Sequence, residues 1–111
     1  MLGHAHRASG DTHAARQHHQ RALGLAARIG HAAAMCEAVE DLARDELTDR
    51  PAVAAALVRA ARTERTRRGL PLRQRDSQQL AQLEQALTAL GEHDPDERTF
   101  SELVAEMTAV A

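Results

Sequence analysis

An all-α fold is what this sequence predicts, on three observations. Apolar residues recur three and four positions apart almost throughout; no segment alternates apolar and polar residues with the period of a half-buried strand; and glycines at 10, 30, 69 and 91 fall at the ends of the periodic stretches. The chain has 111 residues, the size of one domain with a modest core. Alanine supplies much of its apolar content, there is one Phe, and Trp and Tyr are absent. Each buried position therefore withdraws little area from water, and modest stability is expected.

Six helices are expected in hairpin order. The first covers residues 2–8 and closes at Ser9-Gly10, where glycine can adopt the left-handed backbone that ends a helix. Asp11 caps the second, which runs to Ile29 with Ala15, Ala22, Ala26 and Ile29 as its apolar stripe, and Gly30 ends it. His31 opens a third helix with Met35, Val39 and Leu42 on one face. Its late acids Asp45, Glu46 and Asp49 oppose the helix dipole, so they are assigned to the next helix start. Asp49 is then the N-cap ahead of Arg50-Pro51, with proline in the first turn, where its missing N–H costs nothing.

The fourth helix turns Val53, Leu57 and Ala60 inward and ends in arginines before Gly69-Leu70-Pro71, cations that suit a helix C-terminus. The fifth has the cleanest pattern, Leu80, Leu83, Leu87 and Leu90, and stops at Gly91. After a polar linker, Thr99-Phe100-Ser101-Glu102 reads as a capping box opening a sixth helix with Phe100, Leu103, Val104, Met107 and Val110 apolar. One domain over residues 1–111 results, divided into hairpins at 1–30 and 31–69 and a C-terminal helical pair at 72–111.

The first hairpin carries a resemblance. A tetratricopeptide repeat has Leu-Gly, a Tyr three residues after the Gly, then an Ala and a Phe four residues beyond it. Leu2-Gly3 and Ala15 match that pattern, His6 stands at the Tyr position, His19 at the Phe position, and Ala22 continues the small face; the leading aromatic is missing. Further along, the order Asp49-Arg50-Pro51-Ala52 to Leu57, then Arg65-Thr66-Arg67-Arg68-Gly69-Leu70-Pro71-Leu72, then Gln79-Leu80 to Leu90-Gly91-Glu92, resembles the C-terminal end of large bacterial transcriptional regulators. Those of the LuxR-like and antibiotic-regulatory types join a signalling ATPase to tetratricopeptide-like repeats. The family's aromatics between its last two helices are replaced by Glu92-His93-Asp94-Pro95-Asp96, and its phosphate-binding loop ending in Gly-Lys-Ser or Gly-Lys-Thr has no counterpart. The resemblance implies a tetratricopeptide-like array of helical hairpins in a bacterial cytoplasm, contacting a protein partner or an upstream domain of a larger regulator. No cofactor and no enzyme activity are implied.

Composition narrows the function classes. All 14 basic residues are arginine and 16 acids outweigh them, for a formal charge of −2, a balance that argues against a general nucleic-acid or membrane binder. The single Cys36 forms no intrachain disulfide, and neither a signal segment nor a membrane-length apolar run is present, so a reducing cytoplasm is the expected setting. The seven histidines lack metal-site spacing: His4 and His6, or the adjacent His18 and His19, point in different directions on a helix. A charge change of His6 or His19 at an interface is the better use of those rings. Cys36 beside Glu37, Glu40 and Asp41 mixes nucleophile and carboxylate, but no histidine is spaced to act as its base.

The basic stretch over residues 59–75 is the strongest local charge feature. No aromatic residue interrupts it to stack on bases, and acids on both sides can neutralise it. The sequence thus points to a non-enzymatic protein-interaction module, with His6, His19, Arg62, Arg65 and Arg68 as candidate contact residues. Two alternatives come from other classes: a small nucleic-acid-binding protein using Arg62, Arg65, Arg68, Arg73 and Arg75, and a helical homodimer joined through Leu80, Leu83, Leu87 and Leu90.

Overall fold

A computed structural model describes the backbone of residues 2–72, 74–91 and 98–109, and the side chains of these from Thr12 onward except Arg75. The described residues form five α-helices and no strand: α1 (Leu2–Ile29), α2 (Ala32–Glu46), α3 (Pro51–Arg68), α4 (Gln74–Ala89) and α5 (Phe100–Ala109).

The expected break at Ser9-Gly10 does not exist. α1 runs unbroken for 28 residues, about 42 Å at 1.5 Å per residue, which sets the 44 Å long axis of the molecule. A glycine inside a helix costs about 1 kcal/mol relative to alanine, a penalty the helical neighbours on both sides of Gly10 absorb. The first two expected helices are therefore one, and the repeat-like hairpin of residues 1–30 is a single rod. The expected stripe on this rod is also divided. Ala26 is buried with Leu23, whereas Ala22 and Ile29 face solvent.

Local signals place the other ends. His31 is the N-cap of α2, its Nδ1 accepting from the Ala34 N–H at 3.1 Å. Pro51 occupies the first turn of α3, but the N-cap there is Arg50 and it makes no side-chain cap. Asp49 is instead drawn to Arg16 of α1, as described below. At the far end of α3, Gly69 takes φ 66°, and the N–H groups of Gly69 and Leu70 close back on the Thr66 and Arg65 carbonyls at 3.3 and 2.8 Å. That left-handed geometry carries steric strain for any residue with a Cβ. The Thr99–Glu102 capping box is formed reciprocally, both bonds 3.1 Å long.

Neighbour relations make a closed ring: α1 packs on α2, α2 on α3, α3 on α5, and α5 returns to α1, while α4 lies on the outside of α3. Leu23, Val39, Leu42, Leu57 and Leu103, all fully buried, meet from the four ring helices. The ring closes because α5 inserts Phe100, Leu103, Val104 and Met107 between α3 and α1. α3 is the central element, with Ala54 to Val58, Ala60 and Ala61 all buried, because helices cover it on three sides. A run of alanines suits that place, since small side chains let neighbouring helices approach closely. Leu80, Leu83 and Leu87 bury α4 in this core, whereas Leu90 is 59% exposed. The leucine face expected to join two chains is mostly occupied within one. No helix among the described residues is long and apolar enough to cross a membrane.

Candidate interaction surface

The arginines of α3 are held within the chain. Arg65 and Glu40, 8% and 7% exposed, make a two-pronged pair, Nε to Oε2 at 2.7 Å and Nη2 to Oε1 at 2.9 Å. Nη1 of Arg65 also donates to the Pro71 carbonyl at 3.2 Å, tying α2, α3 and the turn after α3 together. Arg67 donates to the Glu64 carboxylate at 3.0–3.2 Å and Arg68 engages the same group. Arg62 reaches Glu84 of α4 at 2.5 Å, and Arg59 donates to the Arg98 carbonyl at 2.7 Å. Of the sequence-derived candidates, Arg62 and Arg68 are thus surface residues with partners, and Arg65 is a buried structural group. Arg73 and the side chain of Arg75 lie outside the described residues, as does the side chain of His6.

This network sets the electrostatics of its neighbours. Burial pushes the Cys36 thiol up to about 11, against the lowering effect of Arg65, so it stays protonated and a poor nucleophile at neutral pH. Desolvation raises Glu64, but the Arg68 and Arg67 guanidiniums outweigh it and hold that carboxyl below its ordinary range. Glu40 raises Arg65 through their hydrogen bonds against desolvation, so the buried guanidinium stays charged.

A second network fastens α1 to the C-terminal half of α2. Arg16 lies with Nε 2.7 Å from Glu46 Oε1 and donates from Nη2 to Asp49 Oδ2 at 3.1 Å. Glu46, 1% exposed, is also met by Arg50. Nδ1 of His19 donates to Asp45 Oδ2 at 2.5 Å, and its Nε2 lies 3.8 Å from Asp41, which Arg44 also engages. Desolvation raises the Asp45 carboxyl, with the His19 hydrogen bond opposing it. His19 is therefore an inward clasp between helices. The acids at the wrong end of α2 are answered by the neighbouring Arg50 and by Arg16 and His19 of α1, the latter across some 30 residues, which local sequence does not reveal. Among the described residues, no group of three or more His, Cys, Asp or Glu side chains is arranged to hold a metal ion.

The opposite face of α1 is different. Ala14, His18, Ala22, Leu25 and Ile29, spaced by fours and a three, are all exposed; Leu25 and Ile29 are 54% and 66% exposed. The only other large apolar side chain so exposed among the described residues is Leu90. Arg21 and Arg28, two turns apart beside this stripe, have no ion-pair or hydrogen-bond partner among the described residues. Next to them a groove of about 690 Å³ runs between α1 and α5, lined by Gln20, Gly24, Leu25, Ala27 and Thr108. Composition gave a hint of this surface: α1 carries four arginines and five histidines against the single acid Asp11.

The chain matches no family model, no curated protein and no solved structure.

Proposed function

We propose that this chain is a non-enzymatic protein-interaction module, part of or accessory to a bacterial transcriptional regulator. The observation that carries the interaction reading is the exposed stripe of Ala22, Leu25 and Ile29 on α1, an apolar helix face left over after α2 and α5 have covered the other sides. Contiguous exposed apolar surface next to uncommitted cations is characteristic of a protein interface. The regulator reading is supported by the resemblance in motif order over residues 49–92. Nucleic-acid binding through α3 is less favoured, because Arg65 is buried and Arg62, Arg67 and Arg68 already contact carboxylates.

Site-specific photo-crosslinking in the native cell tests this. A photoreactive side chain at Ala22 is expected to trap one protein of defined mass, identified as a regulator subunit, whereas the same group at the exposed Gln78 of α4 traps none. Equal trapping at both positions, or none at Ala22, contradicts the reading.

A further inference from the structure

We propose that the outer face of α1 and its groove against α5 dock an acidic amphipathic helix of a partner protein; this rests on the interaction-module reading above. The surface has the two features such a helix needs. Its apolar row, Ala22, Leu25 and Ile29, can receive a matching row at steps of three and four. Arg21 and Arg28 stand about 10 Å apart along the helix, two turns, and offer guanidiniums uncommitted among the described residues to carboxylates at the same interval. The other two arginines of α1 contribute differently: Arg16 is committed to Glu46 and Asp49, and the side chain of Arg7 lies outside the described residues.

Gly24 adds an independent observation. It sits inside α1, within its last two turns, where glycine disfavours the helix, yet a Cβ built there meets nothing closer than Thr108 Cγ2 at 3.9 Å, an ordinary contact. The fold has room for a side chain at this position. What its absence preserves is the floor of the groove.

The occupant follows from charge. A second copy laid α1 against α1 brings Arg21 and Arg28 against their own kind, and the other described helices expose no row of large apolar residues to meet Leu25 and Ile29. Nucleic acid is a poor fit to a face whose centre is apolar and which has no Phe, Tyr or Trp to stack on bases. An acidic helix satisfies the apolar row and the cations together.

The test uses the full chain and two synthetic helical peptides with the same leucine row, one flanked by glutamates and one by lysines, followed by fluorescence anisotropy. The glutamate peptide is expected to bind, more weakly as salt rises, and to lose about tenfold in affinity against Arg21→Glu/Arg28→Glu. That variant is expected to bind the lysine peptide instead, with an unchanged circular dichroism spectrum because both arginines are exposed and have no partner among the described residues. Equal binding of the two peptides, no binding of the glutamate peptide, or binding unaffected by the charge reversal overturns the proposal. So does salt-sensitive binding of duplex DNA lost with Arg21 and Arg28, or a homodimer abolished by Leu25→Asp. If the peptides fail while crosslinking at Ala22 still traps its protein, the acidic partner is wrong and the interaction reading stands.

Discussion

The densest arginine run of this protein lies on α3 and the sparser set on α1, and the two have opposite fates. On α3, Arg62, Arg65, Arg67 and Arg68 each find a carboxylate of the same chain, one of them in the core. On α1, Arg21 and Arg28 find none among the described residues, although acids outnumber bases overall. The difference is one of position in the ring. α3 is covered by α2, which brings Glu40, and by α4, which brings Glu84, and its own Glu64 holds Arg67 and Arg68, whereas the outer face of α1 is left exposed among the described residues. Charge density along a sequence therefore measures how many cations are present, and the packing decides which of them remain available to a partner.

The largest expected effect breaks the α3 side of this comparison. Arg65→Met leaves the carboxyl group of Glu40 buried without its partner, a loss of about 3–5 kcal/mol in urea unfolding. The double variant Glu40→Met/Arg65→Met is expected to recover most of that loss, because removing both charges also removes both desolvation costs. If the double variant is as unstable as the single, the pair contributes through something other than mutual compensation.

A smaller loss is expected at the α1–α2 clasp. Arg16→Met takes one of two cations from the buried Glu46 while Arg50 remains, so about 1–3 kcal/mol is expected from the same measurement. These two sites also show what was legible in the sequence. Signals contained in a few neighbouring residues were readable: His31 and Pro51 at helix starts, the Thr99–Glu102 box, and the Leu80, Leu83, Leu87 row. Gly10 was misread because glycine ends a helix only where the chain takes a positive φ, as Gly69 does, and composition alone does not say which glycine will. Asp49 was misread as a cap because its partner, Arg16, is 33 residues away. The burial of Arg65 was hidden for the same reason, its carboxylate lying 25 residues earlier. The central place of α3 has a signal in the sequence, the unbroken run of apolar residues from Ala54 to Val58.

Acid titration sharpens the contrast further. Glu64 titrates below its ordinary 4.5 in the folded state, so its pairing with Arg67 and Arg68 contributes stability above that value and loses it as pH falls through the lowered one. Asp45 is raised from 3.8 by burial, so its contribution has the opposite sign: present below 3.8 and lost as pH rises through the raised value. Glu64→Gln is expected to flatten the acid limb of a stability–pH profile and Asp45→Asn to steepen it. The same change of slope in both variants would contradict the assignment.

The smallest effects belong to the open face. Gly24→Ala is expected to raise stability by about 0.5–1 kcal/mol through helix propensity while weakening partner binding, since the new methyl enters the groove floor. Arg21→Ala and Arg28→Ala are expected to change stability by less than about 0.5 kcal/mol, as exposed residues without partners among the described residues do.

The central claim, that α1 holds available cations and α3 does not, is tested most directly by an arginine-specific dicarbonyl reagent, with modification rates read at each position by mass spectrometry on the folded chain. Arg21 and Arg28 are expected to react fastest and Arg65 slowest, with Arg16 and the carboxylate-paired Arg62, Arg67 and Arg68 between them. Modification of Arg65 at the rate of Arg21, or protection of Arg21 and Arg28 in the isolated chain, would contradict the account.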